Sequence, residues 1–173
     1  GLDPRLGAQQ AAATILKHLV GVILQNEQGL KADIDTEFLH DFRVSIRRTR
    51  SALTQLKEVF PADIVARFRR SFASLGKLTN RLRDLDVYLL AEHNYRKMVP
   101  EAIGAGLDPL FEGLRRERKR EFQRLSKALA EPDYRNTIDG WRRFLDRALE
   151  GGVEVSRNSN RPAIDLACKS IRK

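Results

Sequence analysis

Apolar residues recur along this chain at the three- and four-residue intervals of an α-helix, and no alternating run is long enough to supply a sheet. The pattern predicts an all-α fold. Ala11, Ile15, Leu19, Val22 and Ile23 share one helical face and predict a first helix over about residues 8–28, ending before the turn from Gly29 to Asp35. Asp35 or Thr36 is placed to cap a second helix. Its buried side is marked by Phe42, Ile46, Thr49, Leu53, Leu56 and Phe60, and it should run to Glu58 or Val59, stopped by Pro61. Asp63 then caps a third helix, which carries the strongest apolar stripe, from Phe68 and Phe72 through Leu75, Leu78, Leu82 and Leu85 to Leu89, and extends into the 90s before Pro100. Beyond a loop holding Gly104, Gly106 and Pro109, the series Leu107, Leu110, Phe111, Leu114, Phe122, Leu125 and Leu129 predicts a fourth helix ending near Pro132. Tyr134, Ile138, Trp141, Leu145 and Leu149 predict a fifth. Short connections make successive helices antiparallel neighbours, so the expected architecture is an antiparallel helical bundle: a four-helix bundle plus an additional C-terminal helix.

The division expected along the chain is a bundle over residues 1–150, followed over 151–173 by a linker and the start of a further helical unit. The stretch GGVEVSRNSNRP is polar and rich in turn formers, and Ile164, Leu166 and Ile171 mark the helix that begins after it. No sequence repeat of about 20 to 50 residues is present.

Composition narrows the partner. In 173 residues, 32 Lys and Arg stand against 23 Asp and Glu, leaving a formal charge of +9 at pH 7. A surplus of that size repels itself and favours a polyanionic partner. With 32% charged residues the chain is too polar for a membrane span. Its single cysteine, Cys168, forms no internal disulfide and offers no Cys-based zinc site, and the start GLDPRLGAQQ lacks the basic and apolar regions of a secretion signal. A cytoplasmic setting is expected.

The second helix gives the charge a direction. His40, Arg43, Arg47 and Arg50 fall within an arc of roughly 80°. That arc borders the one holding Leu39, Phe42, Ile46 and Leu53, so these cations flank the packed side instead of lying opposite it, where a solvated face belongs. On the third helix Asp86 lies inside the apolar arc, with Arg83 at its margin. An ionised acid there needs a counterion, and Arg83 or an arginine of the second helix is the expected partner. On the fourth helix Arg118 replaces an apolar residue of the stripe, with Glu121 as its expected neighbour and Arg115 and Lys119 on the same side, whereas Arg116, Arg120 and Arg124 point to solvent. Guanidinium groups turned toward packed faces on three helices imply an anion between them, which the planar fork of Arg grips through two oxygens at once. His18, His40 and His93 have no companions at metal-ligand spacing, and His40 next to an anion gains a proton and joins the cations.

Two segments carry a resemblance. LHDFRVSIRRTRSALTQLKEVF and LGKLTNRLRDLDVYLL are similar, in order and spacing, to the signatures of the CHAD domain, the conserved-histidine α-helical domain. His40, Arg43, Val44, Arg47 and Arg48 match the first signature, and Arg83, Asp84, Asp86 and Val87 the second. The resemblance reaches from about Ala8 to Leu149. It implies two four-helix halves around a central basic channel that binds inorganic polyphosphate, sometimes fused to a triphosphate-tunnel (CYTH) domain, of which no strands are seen in this sequence. No second His-x-x-Arg helix follows in the later part, so the chain is expected to be a first half plus the start of a second, binding more weakly alone or associating as a weak homodimer.

The inward cations and the resemblance together name His40, Arg43, Arg47, Arg48, Arg50, Lys77, Arg81, Arg83, Arg115, Arg118 and Lys119 as the polyphosphate-binding set, with Asp84, Asp86 and Glu121 as structural ion-pair partners. No residue is assigned to catalysis, a metal or a cofactor, since no phosphate-binding GxxxxGK[ST] loop occurs and Asp84 and Asp86 sit beside arginines. Nucleic acid is the alternative partner. It is disfavoured because aromatic residues are only 7% of the chain and the large ones, Trp141, Phe72 and Phe122, fall on core stripes, leaving little to stack on bases. A bundle that binds nothing is the third reading.

Overall fold

The computed structural model describes residues 6–165. They form seven α-helices: α1 (Ala8–Lys31), α2 (Thr36–Gln55), α3 (Ala62–Leu90), α4 (Glu92–Met98), α5 (Glu101–Gly104), α6 (Asp108–Ala130) and α7 (Pro132–Leu149), with one 3₁₀ turn at Ala105–Leu107. The all-α expectation holds. α1 packs along α2 and α7, α2 along α3, and α3 along α6, so α3 has one flank on α2 and another on α6.

The aromatic stripes meet where expected. Trp141 is fully buried, its ring 4.6 Å from that of Phe68 and stacked on Phe144 at 5.6 Å, with Phe60 and Phe72 beside them. Each of these large side chains contributes about 2 to 3 kcal/mol through burial. Alanines 8 and 11 to 13 line the buried side of α1, whereas Ile15, expected in the core, is 42% exposed and Leu16 takes its place.

Several boundaries differ from the sequence expectation. Asp35 does cap α2, its Oδ1 accepting from the Glu37 N–H at 2.9 Å. The helix nevertheless ends at Gln55, short of Glu58, because the chain must turn to bury Val59 and Phe60, and Glu58 takes φ 58° to do so. Asp63 lies inside the first turn of α3 without a capping hydrogen bond. The third helix stops at Leu90, and α4 begins after the single turn residue Ala91. Pro109, expected in a loop, begins α6, where its missing N–H costs nothing.

Two local features set up the charged sites. A Cβ on Gly29 would stand 2.4 Å from the Phe38 ring, so only glycine lets α2 fold back this tightly on α1; Asp33, in the turn between them, adopts φ 51°. The segment after α7 is irregular, as expected, yet it is docked rather than free. Asn158 N–H donates to the Glu58 carbonyl at 2.8 Å, Ser159 Oγ donates to the Val59 carbonyl at 2.9 Å, and the Ala8 N–H donates to the Arg161 carbonyl at 2.8 Å. Buried Gln9 joins the same knot through the Val59 carbonyl and Ser159 Oγ. Ile164 is exposed; Leu166, Cys168 and Ile171 lie outside the described residues.

Candidate functional site: a cationic furrow between α2 and α3

α2 and α3 each turn a helical face toward a shared furrow. From α2 come His40, Arg43, Arg47 and Arg50, and from α3 Lys77, Asn80 and Arg83, lining a cleft of about 410 Å³. A second cleft of about 610 Å³ adjoins it, sharing Arg47 and Arg50 and adding Ser51 and Thr54 of α2 and Arg69 and Arg70 of α3. No carboxylate and no aromatic ring lines either cleft. Among the described residues, none of these arginines, nor Lys77, makes an ion pair.

Arg43 is the anchored member. Its Nη1 donates to Thr79 Oγ1 at 2.7 Å and to Asn80 Oδ1 at 2.9 Å, neutral acceptors that fix the guanidinium without cancelling its charge. Burial lowers its pKa from the ordinary value, exposed Asp84 opposes, and the charges of Arg83 and Arg47 lower it further. Such an arginine remains cationic and gains from any anion brought near. Arg83 also lines the furrow, and its Nη1 is buried with no hydrogen-bond partner. Arg50 lies over Gly76, where a Cβ would stand 3.6 Å from its Nη1.

The other flank of α3 treats arginine differently. Arg118 of α6 donates from Nε to Asp86 Oδ1 at 2.7 Å and from both Nη atoms to the Asp33 carboxylate at 2.7 and 2.8 Å. Asp86 is buried, as its place in the stripe predicts, but its partner is Arg118 and neither Arg83 nor an arginine of α2. The cause is helix order: α6, not α2, covers that side of α3. Hydrogen bonds to Arg118 hold Asp33 below the usual carboxylate range, while burial pushes Asp86 up against the pull of Arg118. Arg118 itself is raised, first by Asp33. Glu121, expected beside Arg118, pairs instead with Arg124 at 2.8 Å, and Arg124 stays exposed as expected. Arg81 pairs with Glu117 at 2.7 Å and Arg115 with Glu92.

The sequence-named residues therefore separate. His40, Arg43, Arg47, Arg50, Lys77 and Arg83 come together in the furrow. Arg81 and Arg118 meet carboxylates along the α3/α6 seam, Arg115 of α6 meets Glu92 of α4, and Arg48, Lys119 and Asp84 are exposed and line neither cleft. Sequence reasoning missed Arg69, Arg70, Asp33 and Glu92. Arg70 had a readable signal, since it lies on one helical face with Lys77; Asp33 had none, being a turn residue 85 positions from its partner.

A larger hollow of about 1250 Å³ lies between α3 and α7, but its lining mixes Arg67 and Arg143 with Asp133, Asp146, Leu75 and Leu78, so it has no single charge character. Among the described residues no three His, Cys, Asp or Glu side chains are grouped to hold a metal ion, and no helix is long and apolar enough to cross a membrane.

Comparison with known proteins follows the same lines. The CHAD domain model matches residues 14–173. The crystal structure of the CHAD domain from the plant Ricinus communis superposes with a TM-score of 0.75 at 23% sequence identity, over 99% of this chain and 54% of that one. This chain thus spans about half the length of that structure. No curated protein matches.

Proposed function

The chain belongs to the CHAD domain family, and from that premise we propose that it is a binding module for inorganic polyphosphate, held in the furrow between α2 and α3. One observation carries the reading: His40, Arg43, Arg47, Arg50, Lys77 and Arg83 converge on a cleft that no carboxylate lines. Six cationic or protonatable groups so placed repel one another, and a chain of phosphates relieves that repulsion. Binding rather than turnover is the proposed activity, because the furrow offers no carboxylate to hold a divalent ion or to activate water.

Nucleic acid presents the same phosphate charge. Its bases would find no aromatic ring along the furrow, which favours the plain phosphate chain. We propose a cytoplasmic setting, given a single cysteine and hence no internal disulfide. Weak self-association belongs to the same proposal, since Leu90, Met98, Ile103 and Leu110 are more than half exposed; light scattering with and without polyphosphate checks it, and a strict monomer in both removes it.

The test is a titration of the chain with long-chain polyphosphate, single-stranded DNA and duplex DNA at one ionic strength and matched phosphate concentration. Polyphosphate should bind tightest, with affinity falling steeply as salt rises. Equal or tighter binding of DNA would overturn the reading.

A further inference from the structure

We propose that Arg69 and Arg70 of α3 form the outer half of one continuous furrow and make the protein select linear polyanions by length, an inference that rests on the polyphosphate reading of the inner half. The two clefts are joined through Arg47 and Arg50, which line both. The outer one adds Arg69 and Arg70 together with the hydroxyls Ser51 and Thr54, over a floor that includes Ala66 and Ala73.

Exposed arginines ordinarily form a solvated face, and two on this chain illustrate that state: Arg116 lies 3.7 Å from Glu112 and Arg124 2.8 Å from Glu121. Arg69 and Arg70 differ. Among the described residues they make no ion pair, and the other charged groups of their cleft are Arg47 and Arg50, so four positive charges share it. That repulsion favours an anion entering from the inner cleft.

Length selection follows from the dimensions. His40 to Thr54 spans fourteen helical steps, on the order of 20 Å at 1.5 Å per residue. A triphosphate fills only part of that distance and engages one cleft. A long chain engages both, and its second contact is intramolecular, so it strengthens binding without a second loss of overall freedom.

The experiment compares tripolyphosphate with polyphosphate fractions of increasing length on the full chain, for wild type, Arg69→Ala/Arg70→Ala and Arg69→Lys/Arg70→Lys, at several salt concentrations. In the Ala variant, tripolyphosphate affinity should stay within about twofold of wild type while long-chain affinity falls about tenfold. Its salt slope for long chains should drop by about one per arginine removed. The Lys variant, which keeps both charges, should retain the wild-type slope. Unchanged long-chain affinity and slope in the Ala variant, or an equal proportional loss at every length, would overturn the proposal. Failure of wild type to bind polyphosphate of any length would overturn the underlying reading and this inference with it.

Discussion

On its α2 flank, α3 faces Arg43, Arg47 and Arg50 across a furrow without a lining carboxylate, while on its α6 flank Arg118 meets Asp33 and Asp86 and Arg81 meets Glu117. The electrostatic consequence has opposite signs. Burial and like charges lower the pKa of Arg43, whereas hydrogen bonds to carboxylates raise those of Arg118 and Arg81. An arginine beside an apolar stripe is therefore not in itself a ligand signal. What separates a structural cation from a binding one is whether the fold supplies its anion.

The largest expected effect of breaking this contrast is on the seam. Asp86→Ala removes a buried partner of Arg118 and should destabilise the fold by about 3 kcal/mol, a fall of about 6 to 12 °C in melting midpoint for a domain of this size. Asp33 remains to hold Arg118, so the protein should still fold. Thermal denaturation checks this, and an unchanged midpoint would show that the triad is not a structural element.

Next in size are the furrow substitutions. Arg43→Ala and Arg83→Ala should each weaken polyphosphate binding by about tenfold, the loss expected when a charged hydrogen-bonding contact of about 1.5 kcal/mol is deleted. Arg116→Ala and Arg120→Ala, which remove exposed charges outside the furrow, should change it by less than about twofold. Calorimetric titration at one salt concentration separates the sets, and equal losses across all four would mean that diffuse surface charge holds the ligand.

A smaller effect concerns acid. The folded-state pKa of Asp33 is lowered, so its contribution to stability is present above the unfolded value of 3.8 and is lost as pH falls through the depressed folded value. Asp86 runs the other way: burial raises its pKa, so the pH-dependent part of its contribution is greatest below 3.8 and declines as pH rises through the folded value, while its pairing with Arg118 opposes that decline. Asp33→Asn should therefore flatten the acid limb of the stability profile below about pH 4, measured by denaturant unfolding. A profile that keeps its wild-type slope would assign acid sensitivity to other carboxylates.

Much of the fold was legible because long amphipathic stripes bury one face whatever the tertiary order: Phe42, Phe72, Leu82, Leu125 and Trp141 are all in the core. The interruption at Ala91 was not, since neither Gly nor Pro marks it and the helical pattern continues into α4. The inner furrow was legible as an arc on α2, since one helix carries His40, Arg43, Arg47 and Arg50. The partner of Asp86 was not, because Arg83 and Arg118 border similar stripes and only the packing of α6 on α3 decides between them. Asp33 lay further out of reach. Its role depends on the tight α1–α2 turn that Gly29 permits against Phe38.

The most direct test of the division between furrow and seam measures stability and binding on the same two variants. Arg47→Ala/Arg50→Ala and Arg118→Met are each melted without ligand, then titrated with long-chain polyphosphate at a temperature where both are folded. The furrow variant should keep the wild-type melting midpoint and lose about tenfold or more in affinity, while the seam variant should melt lower and bind within about twofold of wild type. A seam variant that loses as much affinity as the furrow variant, or a furrow variant that binds like wild type, would contradict the division.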